Sequence, residues 1–471
     1  MWLTIVIIFH VLGFISSINA VMTARTSQGA IAWLISLNTF PYAAVPAYWF
    51  LGRSKFQGYV TARRTDDVNT RKKLERLLAK LKPYQIPESE LSSVRMASEK
   101  LADLPYLGGN SVELLVDGQQ TFDSILQGID AAKEYVLFQF FIIKDDEIGR
   151  LLKDHLVARA KEGVKVYFLY DEIGSHDLPE TYKNELRMAG VEVYDFHTQK
   201  GFRNRFQINF RNHRKVVIVD GKEAWIGGHN VGDEYLGRDP EFGRWRDTHM
   251  KITGPAVLAA QVSFVEDWHW ATDTYILKSP WTPKPAADGD VKVLVVPSGP
   301  ADPLETATLM FHHAINSANE RLWIASPYFV PDDAILGALQ LAGLRGVDVR
   351  ILIPEKADHL LVYLAAFSFF EEASRTGVRF FRYTDGFLHQ KVMLIDDRVA
   401  TIGTANFDNR SFRLNFEITV AVADAEFVSE VEQMLEDDFA HAREMTQSDV
   451  NDRSFWFKLS TRLARLTAPV Q

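Results

Sequence analysis

The sequence predicts an α/β protein: two tandem α/β sandwich domains preceded by a two-helix transmembrane hairpin. Three observations predict it. The N-terminus carries two long uncharged runs, the remainder repeats itself once, and each copy alternates apolar strands with helices.

No charged side chain occurs from Met1 to Ala24, and after Arg25 a second uncharged run extends from Thr26 to Gly52. A helix needs about 20 apolar residues to cross the hydrocarbon core. The expected spans are residues 2–20 and 30–51, the second with Pro41 and Pro46 inside it, which membrane helices tolerate. Trp33, Tyr42, Tyr48 and Trp49 supply interfacial aromatics. A cleaved signal peptide fits the first run poorly, because it lacks a basic start and Ile18 and Ala20 make a poor cleavage pair. Two spans place both chain ends on one side. Arg25 alone marks the turn, whereas Arg53, Lys55, Arg63 and Arg64 follow the second span before any acid. The positive-inside rule then predicts a multi-pass protein of the cell (plasma) membrane, with the catalytic bulk in the cytoplasm and the Arg25 turn outside.

The chain divides into this hairpin (residues 1–55), a helical connector (56–107), and two copies of one unit (108–285 and 286–471). In the connector Leu74, Leu77, Leu78 and Leu81 fall at helical spacing among Arg71, Lys72, Lys73, Arg76 and Lys80. That pattern suits a helix on anionic lipid or one docked on the protein. The duplication rests on three matches in the same order at a nearly constant offset. Ile129-Asp-Ala-Ala-Lys-Glu is echoed by Ile315-Asn-Ser-Ala-Asn-Glu, Gly163-Val-Lys-Val by Gly346-Val-Asp-Val, and His213-Arg-Lys215 by His389-Gln-Lys391. A Pro-rich stretch around Pro280, Pro283 and Pro285 joins the copies. Apolar strands are expected at 135–143 and 164–170, and again at 322–330 and 347–353. At the C-terminus Phe455, Leu459, Leu463 and Leu466 share one helical face, which suits an interfacial helix or a core-docking one.

Composition narrows the chemistry. The 471 residues include no cysteine, which excludes a disulfide framework, a thiol nucleophile and any Cys-ligated metal site. A net charge of -9 leans against a nucleic-acid partner. Each copy carries the pattern HxKxxxxD: His213, Lys215 and Asp220 in the first, His389, Lys391 and Asp396 in the second. Each Lys is followed by four apolar residues and an acid, the pattern of a buried strand and a tight turn. Residues two apart on a strand share a face, so His and Lys point the same way. Farther on, each copy reaches a small-residue loop with an Asn, Gly227-Gly-His-Asn230 and Gly403-Thr-Ala-Asn406. One such motif is weak evidence; two at equivalent positions of a repeat are not. Two imidazoles facing one phosphate divide the work of transferring it. One attacks phosphorus; the other moves the proton. Two lysines and two asparagines hold the non-bridging oxygens, and no metal or cofactor is required. The basic group Arg203, Arg205, Arg211 and Arg214 draws anionic headgroups to the cleft or is plain surface.

The paired motifs resemble those of the phospholipase D superfamily. The stretches Gly227-Gly-His-Asn-Val-Gly-Asp-Glu-Tyr-Leu-Gly237, Trp245-Arg-Asp-Thr-His249, Gly403-Thr-Ala-Asn-Phe-Asp-Asn-Arg-Ser-Phe412 and Leu414-Asn-Phe-Glu417 narrow the resemblance to cardiolipin synthases with two membrane helices. The resemblance implies two α/β/α units whose motifs line one site. It implies His213 as nucleophile, His389 as acid/base, and Lys215, Lys391, Asn230 and Asn406 as the phosphate-binding set. Asp220 and Asp396 belong to the motif but are implied to be largely structural. Asp247 and Glu417 are the candidates for orienting the histidines. Many members have Ser after the motif Gly, where this chain has Gly228 and Thr404. The implied partners are phosphatidylglycerol and anionic membrane lipid. The implied reaction is transfer of a phosphatidyl group between two phosphatidylglycerols; hydrolysis of phospholipid to phosphatidic acid is the alternative.

Overall fold

The computed structural model describes residues 2–52, 59, 78–87, 93–197, 209–276, 281–356, 358–446, 448–449 and 452–470. Seven strands of the first half are β1 (Leu107–Val116), β2 (Tyr135–Phe140), β3 (Lys165–Asp171), β4 (Glu192–Phe196), β5 (Val216–Val219), β6 (Glu223–Gly227) and β7 (Thr248–Thr253). Their counterparts in the second half are β8 (Val291–Ser298), β9 (Arg321–Ala325), β10 (Asp348–Pro354), β11 (Arg379–Tyr383), β12 (Val392–Ile395), β13 (Val399–Gly403) and β14 (Asn415–Ala423). The order of these strands is β4-β3-β2-β5-β6-β7-β1-β8-β14-β13-β12-β9-β10-β11, and the short strand Ala442–Glu444 adds to the edge at β11. Read outward from the β1–β8 join, the two halves have the same order.

The expected strands are present, and period-two burial explains why. In β2, Val136, Phe138 and Phe140 face a core shared with helices Asp117–Ala131 and Glu147–Lys161, while Tyr135 and Leu137 face the other side. Both faces are covered, so the strand reads as a continuous apolar run rather than an alternation. In the second half the predicted 322–330 strand stops at Ala325, and Phe329–Val330 pairs separately with Phe407–Asp408.

The two halves meet through β1 and β8, antiparallel, with an irregularity between Leu107 and Asn110. The buried Asn110 side chain satisfies this joint. Its Nδ2 donates to the Leu107 and Val291 carbonyls (2.8 and 3.1 Å), and its Oδ1 accepts from the Ala256 N–H (2.8 Å). Ala256 opens a helix, Ala256–Thr272, that is buried along most of its length.

The motif acids Asp220 and Asp396 end β5 and β12, and both take the left-handed conformation (φ 52° and 49°). Asp tolerates it better than most residues because its side chain can bond locally. The Asp220 carboxylate accepts from the N–H groups of Lys133, Glu134 and Tyr135, and that of Asp396 from Asn319, Glu320 and Arg321. Each therefore pins the turn that enters β2 or β9, at the opposite end of its strand from the motif histidine.

At the N-terminus, α1 (Trp2–Thr23) is, among the described helices, the one long and apolar enough to cross a membrane alone. The second apolar run differs from expectation. It forms two helices, α2 (Ser27–Thr39) and α3 (Pro41–Leu51). The break falls at Phe40 (φ -138°, ψ 61°), because the residue before a proline is pushed out of the helical region. In the connector, Leu81 is buried and Lys80 Nζ donates to the Trp281 carbonyl (2.9 Å), so this end docks on the protein. Arg71 to Leu77 lie outside the described residues. The C-terminal helix Phe455–Arg465 meets both of its readings on opposite faces. Phe457 packs against Phe367 and Arg465 pairs with Glu372 (2.6 Å), while Phe455, Trp456, Leu459, Leu463 and Leu466 remain exposed.

Replacing Asp396 by Ala leaves three backbone N–H groups without their carboxylate and keeps the unfavourable φ. We expect a loss of about 1–3 kcal/mol in denaturant unfolding, and a smaller loss for Asp396→Asn, which tolerates that φ.

Candidate active site

The segments carrying the two histidines, just ahead of β5 and β12, each pair with a segment of the opposite half: Arg211–Asn212 with Asn415–Phe416, and Phe387–Leu388 with Trp245–Arg246. The His213 N–H donates to the Phe416 carbonyl (2.9 Å), and the His389 N–H donates to the Arg246 carbonyl (2.8 Å). Each histidine is thus held by the residue preceding the opposite half's acid. The acids themselves cross over. His213 Nδ1 lies 2.9 Å from Glu417, and His389 Nδ1 lies 2.7 Å from Asp247. The acid farther along each repeat serves the histidine of the other repeat, so neither half completes a site alone.

Two buried arginines brace this crossing. Arg214, between His213 and Lys215, binds Asp267 through Nη1 (2.8 Å) and donates to the Glu417 carbonyl (3.0 Å) in the second half. Arg246 in the first half grips Asp438 in the second through Nε and Nη2 (2.6 and 2.8 Å). Arg214 is therefore an internal staple rather than a surface charge. Arg211 is half-buried, and Arg203 and Arg205 lie outside the described residues.

The electrostatics follow from burial. His213 and His389 are 7% and 8% exposed. Burial, together with the neighbouring lysines, pushes the His213 imidazole down to about 4 and His389 well below its ordinary value. Burial also pushes the Lys215 ammonium far down and that of Lys391 to about 8. Burial alone raises a carboxyl, and it does so for Asp247. At Glu417 it is outweighed by His213, Lys215 and the Thr404 hydroxyl, which hold that carboxyl below its usual range. A carboxylate on Nδ1 selects the tautomer with its proton there. Each Nε2 is left with its lone pair available for phosphorus or for a proton.

Lys215 and Lys391 each donate to the carbonyl of the histidine two residues earlier, and Lys215 also sits over the Phe141 ring (5.3 Å). The two asparagines differ. Asn230 is fully engaged: Oδ1 accepts from Ile142 N–H (3.0 Å) and Nδ2 donates to Tyr235 Oη (2.7 Å). Asn406 has a buried Oδ1 with no hydrogen-bond partner among the described residues. Sequence reasoning missed the aromatic walls. Phe141 meets His213 edge-on (4.9 Å), while Trp245 and Tyr235 meet His389 (5.4 and 5.9 Å). Tyr235 and Trp245 lie within the quoted family-like stretches, but nothing in their spacing marks them as walls. Among the described residues no His/Asp/Glu group has the arrangement of a metal site.

The departure at Gly228 has a steric cause. Asp247 is one methylene shorter than Glu417, and to reach His389 its carboxylate occupies the space where a Cβ on residue 228 would stand. In the other half the longer Glu417 leaves room for Thr404, whose hydroxyl donates to Glu417 Oε2 (2.6 Å) and accepts from Ile418 N–H (3.0 Å). Gly–Asp and Thr–Glu are alternative ways to fill one shape.

A family model described as "Cardiolipin synthase, PLD-like domain" matches residues 125–255 and 311–439. The chain is 49% identical to a cardiolipin synthase A of Pseudomonas putida over 98% of its own length and 97% of that protein's. It is 49% identical to a cardiolipin synthase A of Pseudomonas fluorescens, covering 98% and 96%. Its fold is similar to the crystal structure of phosphatidylserine synthase from Haemophilus influenzae, with a TM-score of 0.60 at 16% identity, covering 81% of this chain and all of that one.

The crossed geometry makes Gly228→Ala a sharp probe. The added methyl displaces Asp247 from His389 without touching His213. We expect kcat to fall by about 10²-fold or more, the scale of an impaired acid/base, with little change in melting temperature. Steady-state kinetics beside a thermal melt checks this.

Proposed function

The chain belongs to the cardiolipin synthase family of phospholipase D-like proteins, and from that membership we propose that it joins two phosphatidylglycerols through a phosphohistidine. The observation that carries the proposal is the pair of buried imidazoles at one join, each with Nδ1 fixed by a carboxylate from the opposite half.

His213 Nε2 attacks the phosphorus of the first phosphatidylglycerol, and the P–O bond to the glycerol headgroup breaks. His389, protonated, gives its proton to the departing oxygen, and free glycerol leaves. The hydroxyl of a second phosphatidylglycerol then attacks the same phosphorus and loses its proton to His389. The N–P bond breaks, and cardiolipin is released. Lys215 and Lys391 stabilise the oxygens as phosphorus becomes five-coordinate. The role of His213 is supported by its pairing with Glu417, whose negative charge three donors stabilise: His213, Thr404 and Asn415. That charge favours the positive phosphohistidine. The anionic phosphodiester itself favours protonation of His389, offsetting the burial that keeps it neutral in the free site.

The family acts on phospholipid, and the membrane supplies it. We place the catalytic unit on the cytoplasmic side, held to the lipid by the N-terminal helices. The exposed apolar face of the C-terminal helix, flanked by Lys458, Arg462 and Arg465, lies on the same membrane surface. There a lipid alcohol competes with water by placement: effective molarities of about 10⁵–10⁸ M exceed that of bulk water.

The deciding experiment quantifies the products of the purified full chain in phosphatidylglycerol bilayers. Cardiolipin and glycerol are expected in equal amounts. Phosphatidic acid as the main product would make the enzyme a hydrolase instead. His213→Ala and His389→Ala should each abolish turnover, because the two act as a unit. Quenched reactions of the His389 variant should retain phosphatidyl on His213, and label recovered on another residue would overturn the assignment. Leu459→Asp should slow turnover several-fold on bilayers yet leave a monomeric short-chain phosphatidylglycerol unaffected.

A further inference from the structure

The arrangement of α2 and α3 bears on which side of the bilayer each end of the hairpin occupies. From α1 the chain turns at Arg25, and α2 runs back antiparallel to it, with Asn38 Nδ2 donating to Ser17 Oγ (2.7 Å). At Phe40–Pro41 the direction reverses again. Tyr42 lies beside Phe9 (5.5 Å between rings), near the start of α1. Tyr48 and Trp49, farther along α3, bond to Asn19 (2.7 Å) and Ser16 (3.3 Å) near its end. So α3 climbs back beside α1. The Trp33 and Tyr48 rings, on α2 and α3, are 5.1 Å apart in a T-shaped contact. On one straight helix these residues would be separated by about 22 Å, at 1.5 Å per residue.

Both ends of this doubled segment meet the catalytic unit. Arg25 pairs with Glu305 (2.7 Å) and Asp332 (3.4 Å), and Arg413 binds the same two acids. At the other end the Phe50 carbonyl accepts from Asn209 Nδ2 (2.7 Å). Soon after, Tyr59 is buried against Trp270 and Phe416, its hydroxyl donating to Asp267 (3.1 Å).

We propose that residues 27–51 form a re-entrant helical hairpin, which enters and leaves the bilayer on the catalytic side, so that the protein crosses the membrane once, through α1. The dimensions agree. The 13 residues of α2 reach about 20 Å, short of a hydrocarbon core of about 30 Å. The 22 residues of α1 span it. Residues Trp2 to Ile8 of α1, beyond the level of the hairpin tip, are mostly exposed apolar surface suited to lipid. Non-helical backbone is tolerated at membrane depth only where protein covers it. Gly13 provides that cover, since a Cβ there would collide with the Leu37 carbonyl. The Phe40 N–H donates to Ser36, and Pro41 has no N–H to satisfy. The positive-inside rule is also better served. Arg25, the lone charged residue before Arg53, lies on the catalytic side instead of outside.

This inference rests on membrane anchoring through α1 and is independent of the transferase chemistry. The chain has no cysteine, so single-cysteine variants report without background. Trp2→Cys, Ser27→Cys and Glu426→Cys in the full chain are reacted with a membrane-impermeant maleimide in intact cells and in inside-out vesicles. Ser27→Cys and Glu426→Cys should react from one face, and Trp2→Cys from the other. Reaction of Ser27→Cys from the face opposite Glu426→Cys would overturn the proposal in favour of two crossings. A second measurement does not depend on sidedness. Pyrene labels on a Trp33→Cys, Tyr48→Cys double variant in liposomes should give excimer emission, lost when Gly13→Val is added. Monomer emission alone from the double variant would show a straight second span. Cardiolipin formation by each variant is followed in parallel, so that failure of the topology and failure of the chemistry are read separately.

Discussion

Each imidazole is oriented by a carboxylate that belongs to the other half of the chain, and this exchange is the constraint on which the rest of the molecule depends. A histidine within about 3 Å of an acid needs that acid fixed to a fraction of an ångström. Here Asp247 stands just ahead of β7 and Glu417 on β14, in two different half-sheets. The β1–β8 pairing, the Asn110 staple, the Arg246–Asp438 ion pair and the Arg214 hydrogen bond to the Glu417 carbonyl are the means of holding one half-sheet in register with the other. Removing one partner of a buried ion pair costs about 3–5 kcal/mol, so the Arg246–Asp438 bridge ties docking of the halves to stability.

The centre also carries two ammonium groups and two imidazoles with few compensating charges. Glu417 and Asp247, with Asp171, Asp358 and Asp408 farther out, offset them only in part, and burial lowers the lysines and histidines alike. In the proposed reaction the phosphodiester brings further negative charge. That charge favours the cationic form of Lys215 and a protonated imidazole.

Much of this was legible in the sequence because it is local or repeated. The two HxKxxxxD strands announce themselves by four apolar residues, and the duplication by three ordered echoes. The cross-pairing was not legible. Asp247 and Glu417 can be recognised as acids of the right kind, but which histidine each serves is set by how the half-sheets dock, and no spacing encodes that. Arg214 reads as one of four surface cations because its partner Asp267 lies far away in sequence. The second apolar run passed the length criterion for a span. Pro41 carried the signal of its break, through the restriction it places on Phe40, yet the same residue is tolerated in continuous membrane helices. Composition cannot separate a kink from a reversal; only the neighbours of Trp33 and Tyr48 do.

The unequal packing at residues 228 and 404 has a consequence for how such a molecule can be assembled. A symmetric pair of identical halves would carry the same residue on both sides, either a bare glycine beside a short acid or a hydroxyl beside a long one. Here one of each is present, so the halves are no longer interchangeable. Swapping the Gly–Asp and Thr–Glu solutions one residue at a time would leave a gap on one side and a collision on the other. The single chain is what permits this division of labour. Two copies tethered in fixed order can drift apart in shape, each knowing which side it will occupy, whereas two free copies meeting at random must stay alike.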